Sequence, residues 1–287
     1  MFESILAIFA LHQPMATNYQ TVTQKLAQYQ AANPTQVEQI VIGINNQGEE
    51  IKGLKIGNGP AAALVVATHH GNEYGSTAVA LGVAESFSQN PLPNHTVYVI
   101  PVLNISGYNK SSRYENGAGQ AVDANRDYPS PCKSGPNFLL RSTDALARFV
   151  EDKNIVVSAT LHTYWPAVLY PWGISTNDLS TPNDEEFIKL SRNSVVESGY
   201  QYGNSTELLY AADGTFEDYA YWKHGIWSLL FEIGFSHYPD STSVQTMVRV
   251  NVPGIRRFIE TAPTSRASDH DFKGQCDKSR IQRVFLE

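Results

Sequence analysis

Two side chains that commonly bind metal ions, His70 and Glu73, stand three residues apart directly after an apolar run at residues 64–68. The run is rich in β-branched residues, which is typical of a buried strand. Residues 74–87 repeat apolar side chains at helical spacing. His70 and Glu73 are therefore predicted to lie on a strand-to-helix turn, where open α/β sheets bind their ligands. A single His-x-x-Glu pair is common by chance, so a metal site needs a third ligand from another strand end.

A candidate third ligand and a further carboxylate lie at the ends of two other predicted strands. His162 follows the buried run 155–161, and Glu232 lies within the apolar run 226–233. Two histidines and one carboxylate suit a catalytic zinc ion, because that set leaves a coordination position open for water. A lone histidine after a strand is more often a structural residue. Glu232 is harder to explain in that way, since a buried carboxylate is costly without a cation, a donor or a catalytic role.

The elements that must position these side chains alternate along nearly the whole chain. Alternating strands and helices with no composition break predict a single α/β domain, with a central mixed and largely parallel twisted sheet and helices on both faces. We assign that domain to residues 17–263, after an N-terminal segment at 1–16 and before a C-terminal tail at 264–287 that is mostly polar and loosely packed. Helices are predicted at 17–32, 74–88, 141–153, 184–199, 215–224 and 242–262 (with a stop or kink near Pro253), strands at 37–44, 50–56, 61–68, 96–103, 155–161 and 226–233, and a long loop at 104–137.

Charge and composition exclude several classes of function. A net charge of -7 and a pI near 5.6 argue against a nucleic-acid partner, and no apolar run is long enough to span a membrane. Cys132 and Cys276 could form one disulfide or remain two buried thiols. The apolar run at 5–11 could be the core of a signal peptide, but no Lys or Arg precedes it and no clear cleavage site follows. The compartment therefore stays open between the cytoplasm and export.

Residues from about 19 to 260 resemble a zinc carboxypeptidase of the carboxypeptidase A-like family, and several motifs in family order carry the resemblance. The segment 122–128, Val-Asp-Ala-Asn-Arg-Asp-Tyr, resembles the family's Val-Asp-Leu-Asn-Arg-Asn-Phe motif. One such motif would be weak, but five at family-like spacing are strong. The others are His-Gly-Asn-Glu at 70–73, Leu-His-Thr-Tyr at 161–164 with Leu-Tyr-Pro-Trp-Gly at 169–173, Leu-Tyr-Ala-Ala-Asp-Gly at 209–214, and Phe-Glu at 231–232.

The resemblance implies a zinc-dependent metallocarboxypeptidase that uses one zinc ion and hydrolyses the C-terminal peptide bond of peptides with a free terminal carboxylate. Glu232 would act as the general base, and Arg113 would stabilise the oxyanion of the tetrahedral intermediate. An ordinary surface side chain is the alternative interpretation of Arg113 and of Tyr210. The implied residues are the zinc ligands His70, Glu73 and His162, the catalytic residues Glu232 and Arg113, and the substrate-binding residues Asn125, Arg126, Tyr210 and Glu217.

Glu217 occupies the position that lines the family's pocket for the C-terminal side chain. An acid there favours a basic or amine-bearing terminal residue such as Lys, Arg or diaminopimelate, although a glutamate on the solvent face of a helix explains it as well. The sequence departs from the family pattern at Asn72, where an arginine often stands, and at 104–107, where Asn-Ile-Ser-Gly replaces Asn-Pro-Asp-Gly. The contacts upstream of the cleaved bond are therefore unassigned.

Two other functions compete with the peptidase. Zinc amidohydrolases that act on N-acyl amino acids, of the aspartoacylase or desuccinylase type, share the His-x-x-Glu pair, the Asp-x-Asn-Arg motif and the later histidine. The loop at 209–214 and its spacing to Glu232 favour the peptidase. The third interpretation is a binding module that has kept the fold, which loss of a ligand or of the base would indicate, and none is lost here.

Overall fold

The computed structural model describes residues 18–177 and 180–277, so the predicted signal-peptide segment at 1–16 lies outside the described residues. Strands and helices alternate along the described chain. The strands are β1 (Val37–Ile44), β2 (Glu50–Ile56), β3 (Ala61–Ala67), β4 (His95–Ile100), β5 (Glu115–Asn116), β6 (Ala121–Val122), β7 (Ile155–His162), β8 (Ala167–Tyr170), β9 (Gln201–Asn204) and β10 (Trp227–Glu232). The helices are α1 (Tyr19–Ala32), α2 (Tyr74–Gln89), α3 (Ile105–Lys110), α4 (Arg141–Asp152), α5 (Asp184–Ser194), α6 (Ser205–Leu208), α7 (Phe216–His224) and α8 (Ser241–Thr261), with a 3-10 turn at Ala124–Arg126.

Within the described residues, eight of the strands form one sheet in the order β1-β2-β4-β3-β7-β10-β8-β9. The four central strands, β4, β3, β7 and β10, are mutually parallel. Antiparallel pairing occurs towards the edges, between β1 and β2, β2 and β4, and β10 and β8. The predicted fold class, a single α/β domain with a mixed and largely parallel sheet, is confirmed.

The central strands are buried on both faces. Every residue of β3, β4 and β7 is buried, so these strands read in the sequence as continuous apolar runs rather than as alternating patterns. α2 and α8 pack against each other, α7 packs on β10, and α4 packs on β1. Because parallel strands point the same way, the carboxyl ends of β3, β7 and β10 share one edge of the sheet.

Several predicted elements differ from the observed ones. Residues 104–137 are not one long loop, because they contain α3, the β5–β6 pair and the 3-10 turn. The helix predicted at 184–199 ends at Ser194, and α8 continues through Pro253 without a stop. The strands β8 and β9 were not predicted, since four residues are too few to show a period.

The described part of the C-terminal segment is attached to the domain by a disulfide and by hydrogen bonds, whereas the sequence predicted that this segment would be loosely packed. Cys132 and Cys276 form a disulfide, which decides between the two alternatives for the cysteines. The Arg266 guanidinium donates hydrogen bonds to backbone carbonyls of α4 and β7, and the Asp277 carboxylate accepts from the backbone N–H of Thr176. Among the described residues, no helix is both long and apolar enough to cross a membrane.

Glu115, in β5, is a fully buried carboxyl group away from the zinc-ligand candidates. Its Oε2 accepts a hydrogen bond of 2.6 Å from the Ser142 hydroxyl, whereas its Oε1 has no partner among the described residues. Burial, together with the negative charge of Asp127, raises the pKa of Glu115 to about 8. The folded protein therefore keeps this proton at pH values where an unfolded glutamate loses it.

We expect Glu115→Gln to make stability less sensitive to rising pH. Between about pH 4.5 and 8 the unfolded wild-type chain releases the proton and the folded chain retains it, so wild-type stability falls as pH rises. The free energy of unfolding of the variant minus that of the wild type should therefore increase with pH, by up to about 1.4 kcal/mol per pH unit. Urea unfolding at pH 5 and pH 8 measures this difference.

The matched control is Glu207→Gln, because Glu207 is an exposed glutamate in α6. Its difference from the wild type should be the same at both pH values. A Glu115→Gln difference that does not change with pH would show that Glu115 is ionised in the folded protein.

Candidate metal centre and active site

Three neighbouring strands deliver the predicted ligands and base to one edge of the sheet. His162 is the last residue of β7, and Glu232 is the last residue of β10. These two residues are direct partners in the parallel pairing of the two strands. His70 follows β3, which pairs with the other side of β7. The structure therefore brings these three residues to the same edge of the sheet.

The turn after β3 depends on an unusual backbone conformation at Thr68, which has φ 63°. A β-branched residue rarely adopts this left-handed conformation, so the surrounding contacts must hold it. The Thr68 hydroxyl lies 3.0 Å from the Pro101 carbonyl oxygen and 2.6 Å from the Thr77 hydroxyl. Gly71 completes the turn, because a Cβ atom there would lie 2.1 Å from the Gly107 carbonyl carbon.

His70, Glu73 and His162 form a compact buried cluster. The His70 Nδ1 atom lies 2.7 Å from Glu73 Oε1 and 3.2 Å from His162 Nδ1, and the latter lies 3.1 Å from Glu73 Oε2. One ligand atom from each residue falls within 4.8 Å of the others. Two imidazole nitrogens and one carboxylate facing a common point fit the donor set of a catalytic zinc ion.

The surroundings of His70 also fit a metal ligand. Its Nε2 atom lies 3.1 Å from Asp123 Oδ1, so a proton on Nε2 is donated to the carboxylate and Nδ1 is left free to bind a cation. Burial alone would lower the pKa of His70, but Glu73 and Asp123 raise it to about 9. Burial alone would raise the pKa of Glu73, but His70 and His162 hold it well below its usual range. Zinc would replace the proton that this cluster otherwise shares.

Two further carboxylates, Glu217 and Glu232, line the same cavity, and each has one oxygen without a hydrogen-bond partner in the described part of the chain. The Oε2 atoms of both residues are buried and unpaired among the described residues. Burial raises the pKa of Glu232 to about 8, and the charges of Glu73 and Glu217 act in the same direction. Glu217 is 3% exposed, so it is not a glutamate on the solvent face of its helix.

All nine predicted site residues line one pocket of about 200 Å³. The pocket also includes the apolar side chains of Leu169, Leu209 and Leu230 and the backbone at Gly173. An apolar wall with a few charged groups is typical of a site that binds a small ligand or a chain end. The predicted residues in it are His70, Glu73, Arg113, Asn125, Arg126, His162, Tyr210, Glu217 and Glu232.

Arg113 is held at the ligand cluster rather than in solvent. Its Nε and Nη2 atoms donate to Asp123 Oδ2 at 3.0 and 2.8 Å, and its Nη1 atom lies 3.3 Å from His70 Nδ1. Burial would lower the pKa of this arginine, but Asp123 raises it, so the guanidinium stays charged. The alternative of a solvated loop arginine does not describe this geometry.

Asn125, Arg126 and Tyr210 are connected to one another. Asn125 Oδ1 accepts a hydrogen bond of 2.8 Å from the Phe216 backbone N–H, which ties the 3-10 turn to α7. The Arg126 guanidinium donates to the Asn125 carbonyl at 2.6 Å and to the Tyr210 hydroxyl at 3.3 Å. Tyr210 is 55% exposed, which leaves its ring free to move towards a ligand.

Sequence reasoning missed two residues at this site. Asp123 belongs to the matched segment 122–128 but received no role, although it contacts both His70 and Arg113. Its place two residues before Asn125 in that motif was the available signal. His237 is the second of these residues: it lines the pocket, and its Nδ1 atom lies 3.3 Å from the Thr163 hydroxyl. No spacing in the sequence indicated this.

Fold and site together define a zinc-dependent hydrolase built on an α/β sheet, and comparison with known proteins identifies the family. The family model described as zinc carboxypeptidase, Peptidase_M14, matches residues 22–253. The chain therefore belongs to the zinc carboxypeptidase family. The prediction of a zinc metallocarboxypeptidase, which is a hydrolase, is confirmed at the level of the family.

Individual relatives are distant. The chain is 29% identical to Bos taurus carboxypeptidase O over 162 residues, covering 45% of this chain and 43% of that protein. It is 24% identical to Homo sapiens carboxypeptidase O over 259 residues, covering 74% of this chain and 67% of that protein. The solved structure of bovine thrombin-activatable fibrinolysis inhibitor, in complex with tick carboxypeptidase inhibitor, superimposes with a TM-score of 0.76 at 20% identity, covering 85% of this chain and 96% of that chain.

We expect Asp123→Asn to weaken zinc binding by about 10- to 100-fold, because an amide can donate its own proton to His70 Nε2 and so leave the proton on Nδ1. Titration of the metal-free protein with zinc against a competing chelator measures the affinity. The control is Asp144→Asn, which removes an exposed carboxylate paired with Arg148 in α4. Unchanged zinc affinity in Asp123→Asn would contradict the role of Asp123 in orienting the ligand.

Proposed function

We propose that this protein is a carboxypeptidase that hydrolyses the C-terminal peptide bond of peptides, using one zinc ion. The observation that carries the proposal is the shared pocket. The ligand cluster, the unpaired Glu232 carboxylate and the linked Asn125, Arg126 and Tyr210 side chains all line it. A peptide end could therefore contact the groups that bind its carboxylate and the groups that act on its last bond at the same time.

A zinc ion held by His70, Glu73 and His162 would supply a Lewis acid and lower the pKa of a water molecule. Glu232 is the general base in this proposal. It accepts the proton of the attacking water and then delivers it to the leaving amine. Its unpaired Oε2 atom is available for that proton.

Arg113 stabilises the oxyanion that develops on the scissile carbonyl. The double contact with Asp123 holds its guanidinium beside His70, so the charge is in place before the reaction. Because Asp123 contacts both side chains, it orients a metal ligand and the oxyanion donor together.

Arg126 grips the terminal carboxylate of the substrate. A guanidinium carries five N–H donors and binds a carboxylate through two parallel hydrogen bonds. The Asn125 carbonyl and the Tyr210 hydroxyl engage only two of those donors. Binding of a carboxylate would release Tyr210 from Arg126, and the exposed tyrosine could then close over the substrate.

We expect Glu232→Gln to lower kcat for a blocked dipeptide by about 10²- to 10⁴-fold while zinc content stays at the wild-type value, because the variant lacks only the proton acceptor. Steady-state rates and metal analysis of the purified proteins provide the measurement. Glu207→Gln is the control and should keep wild-type kinetics. Hydrolysis by Glu232→Gln at the wild-type rate would refute the assignment of the base. Wild-type turnover of N-acyl amino acids but not of blocked dipeptides would instead support the amidohydrolase.

We further propose a preference for basic terminal residues, with Lys, Arg and diaminopimelate as the class. Glu217 places a buried, unpaired carboxylate oxygen in a pocket whose other walls include three leucines. A substrate amine or guanidinium would give this oxygen its missing partner, and the leucines would contact the aliphatic part of the side chain. Of the two arginines of the pocket, Arg113 donates to Asp123, whereas Arg126 donates to the Tyr210 hydroxyl and is assigned to the substrate carboxylate.

Glu217→Gln should lower kcat/KM about 10- to 100-fold for peptides ending in Lys or Arg and leave peptides ending in Met or Leu within a few-fold, because a charge-assisted hydrogen bond is worth about 1.5–3 kcal/mol. Peptides that differ only in the last residue, assayed with and without a chelator, give the comparison. The control is again Glu207→Gln. Equal losses on basic and apolar peptides would argue against Glu217 as the specificity residue.

The disulfide bears on the compartment. Disulfides persist in oxidising compartments and are rare in the cytoplasm, so the Cys132–Cys276 bond favours export over the cytoplasm. The compartment itself stays a prediction.

A further inference from the structure

Two chain segments joined by the disulfide contact two parts of the chain that line the substrate pocket. We call residues 130–133 and 275–277, together with the Cys132–Cys276 bond, the disulfide clasp. The clasp takes no part in the proposed reaction. One end contacts the segment that carries Arg126, and the other end contacts the pocket wall that includes Gly173.

Lys133 forms the contact with the Arg126 segment. Its Nζ atom donates hydrogen bonds to the Arg126 carbonyl oxygen at 2.8 Å and to the Tyr128 carbonyl oxygen at 3.3 Å. The same segment contacts Gly214, where a Cβ atom would lie 2.8 Å from the Arg126 carbonyl oxygen. The Tyr128 backbone N–H also donates to the Gly214 carbonyl. The Arg126 peptide is thus held between the Lys133 ammonium and the loop that carries Tyr210.

Asp277 forms the contact at the other end. Its Oδ1 atom lies 3.1 Å from the Ser175 hydroxyl and accepts a hydrogen bond of 3.0 Å from the Thr176 backbone N–H. Ser175 also donates to the Gln275 carbonyl at 2.6 Å. Ser175 and Thr176 lie two and three residues after Gly173, which lines the pocket and accepts a hydrogen bond from the Ala212 backbone N–H. The clasp therefore contacts both the segment that carries Arg126 and the segment that begins at Gly173, and both of these segments contact the loop that carries Tyr210.

We propose that Lys133 is a positioning residue for Arg126, and that the Cys132–Cys276 disulfide keeps Lys133 in place. Two parallel hydrogen bonds to a carboxylate tolerate a displacement of only about 0.5 Å. The Lys133 ammonium fixes the peptide unit at Arg126. It therefore fixes the Cα atom from which the side chain extends to the Asn125 carbonyl and the Tyr210 hydroxyl. The clasp contributes to recognition of the terminal carboxylate and not to the chemical step. This inference rests on the proposed carboxypeptidase function.

The test compares Lys133→Met, which keeps the length of the side chain but removes its donors, with Lys133→Arg, which restores donors. We expect Lys133→Met to raise KM for a cleaved peptide about 10-fold with kcat and zinc content unchanged, and Lys133→Arg to recover most of the loss. The control is Lys153→Met, an exposed lysine just after α4, which should match the wild type.

A binding measurement separates positioning from a general structural role. Free lysine and lysinamide present the same side chain, but only lysine has the carboxylate. Lys133→Met should weaken binding of lysine about 10-fold and leave binding of lysinamide unchanged in calorimetric titration. Equal weakening of both ligands, or of neither, overturns the proposal.

The double variant Cys132→Ser with Cys276→Ser tests the covalent part and does not depend on how well Lys133→Met folds. It should reproduce the selective loss of lysine binding, and wild-type lysine binding by this variant would overturn the role of the disulfide. The proposed function fails separately, since it predicts that the wild type cleaves peptides. A wild type that cleaves peptides while Lys133→Met keeps its KM refutes the inference alone.

Discussion

The rest of the structure depends on one cluster in the interior, which consists of two imidazole rings and a carboxylate. The facing Nδ1 atoms of His70 and His162 lie 3.2 Å apart, and Glu73 approaches both within 3.1 Å. Such a cluster is costly to bury unless a proton or a metal ion lies between its members. The parallel strands β3 and β7 make the arrangement reachable, because their carboxyl ends are adjacent at one edge of the sheet.

The backbone accepts strain to complete the cluster. Thr68 adopts a left-handed conformation, which costs of order 1–3 kcal/mol for a residue of this kind. Its hydroxyl recovers part of that cost through contacts with Pro101 and Thr77. Gly71 permits the close approach of the segment at Gly107. The strained residue therefore lies in the turn that positions His70 and Glu73. The strain is located where the rigidity of the site depends on a fixed backbone.

The parts of the fold that could be predicted are those with a strong local signal. β3, β7 and β10 read as apolar runs because they are buried on both faces, and polar residues at the ends of such runs are conspicuous. The content of residues 104–137 could not be predicted in the same way. Its short elements are held by side-chain contacts, such as the Asn104 side chain that accepts from the Gly107 backbone N–H, and these leave no periodic pattern.

The residues of the candidate site likewise differ in how strongly the local sequence indicates them. The candidate ligands and base could be predicted because His162 and Glu232 end strands, His70 and Glu73 lie in the turn after β3, and the motifs around all four resemble those of a known family. The motif at 122–128 was a signal for Asp123, but the contact partners of Asp123 and the choice between a disulfide and two thiols depend on residues distant in the sequence. His70 precedes Asp123 by 53 residues, and 144 residues separate the two cysteines. No local sequence pattern indicates which residues come together over such separations. These contacts between distant residues follow only from the arrangement of the strands.

One short segment, residues 122–128, serves three structural needs through alternate side chains. Asp123 contacts His70 and Arg113, and Asn125 binds the backbone of α7. The Asp127 carboxylate accepts hydrogen bonds from the Leu140 backbone N–H and from the Thr143 hydroxyl at the start of α4. The contacts to His70, to α7 and to α4 therefore share one backbone. A shift of this segment to suit one partner would displace the others, which explains why so many contacts, including the Lys133 ammonium on the Arg126 carbonyl, converge on it.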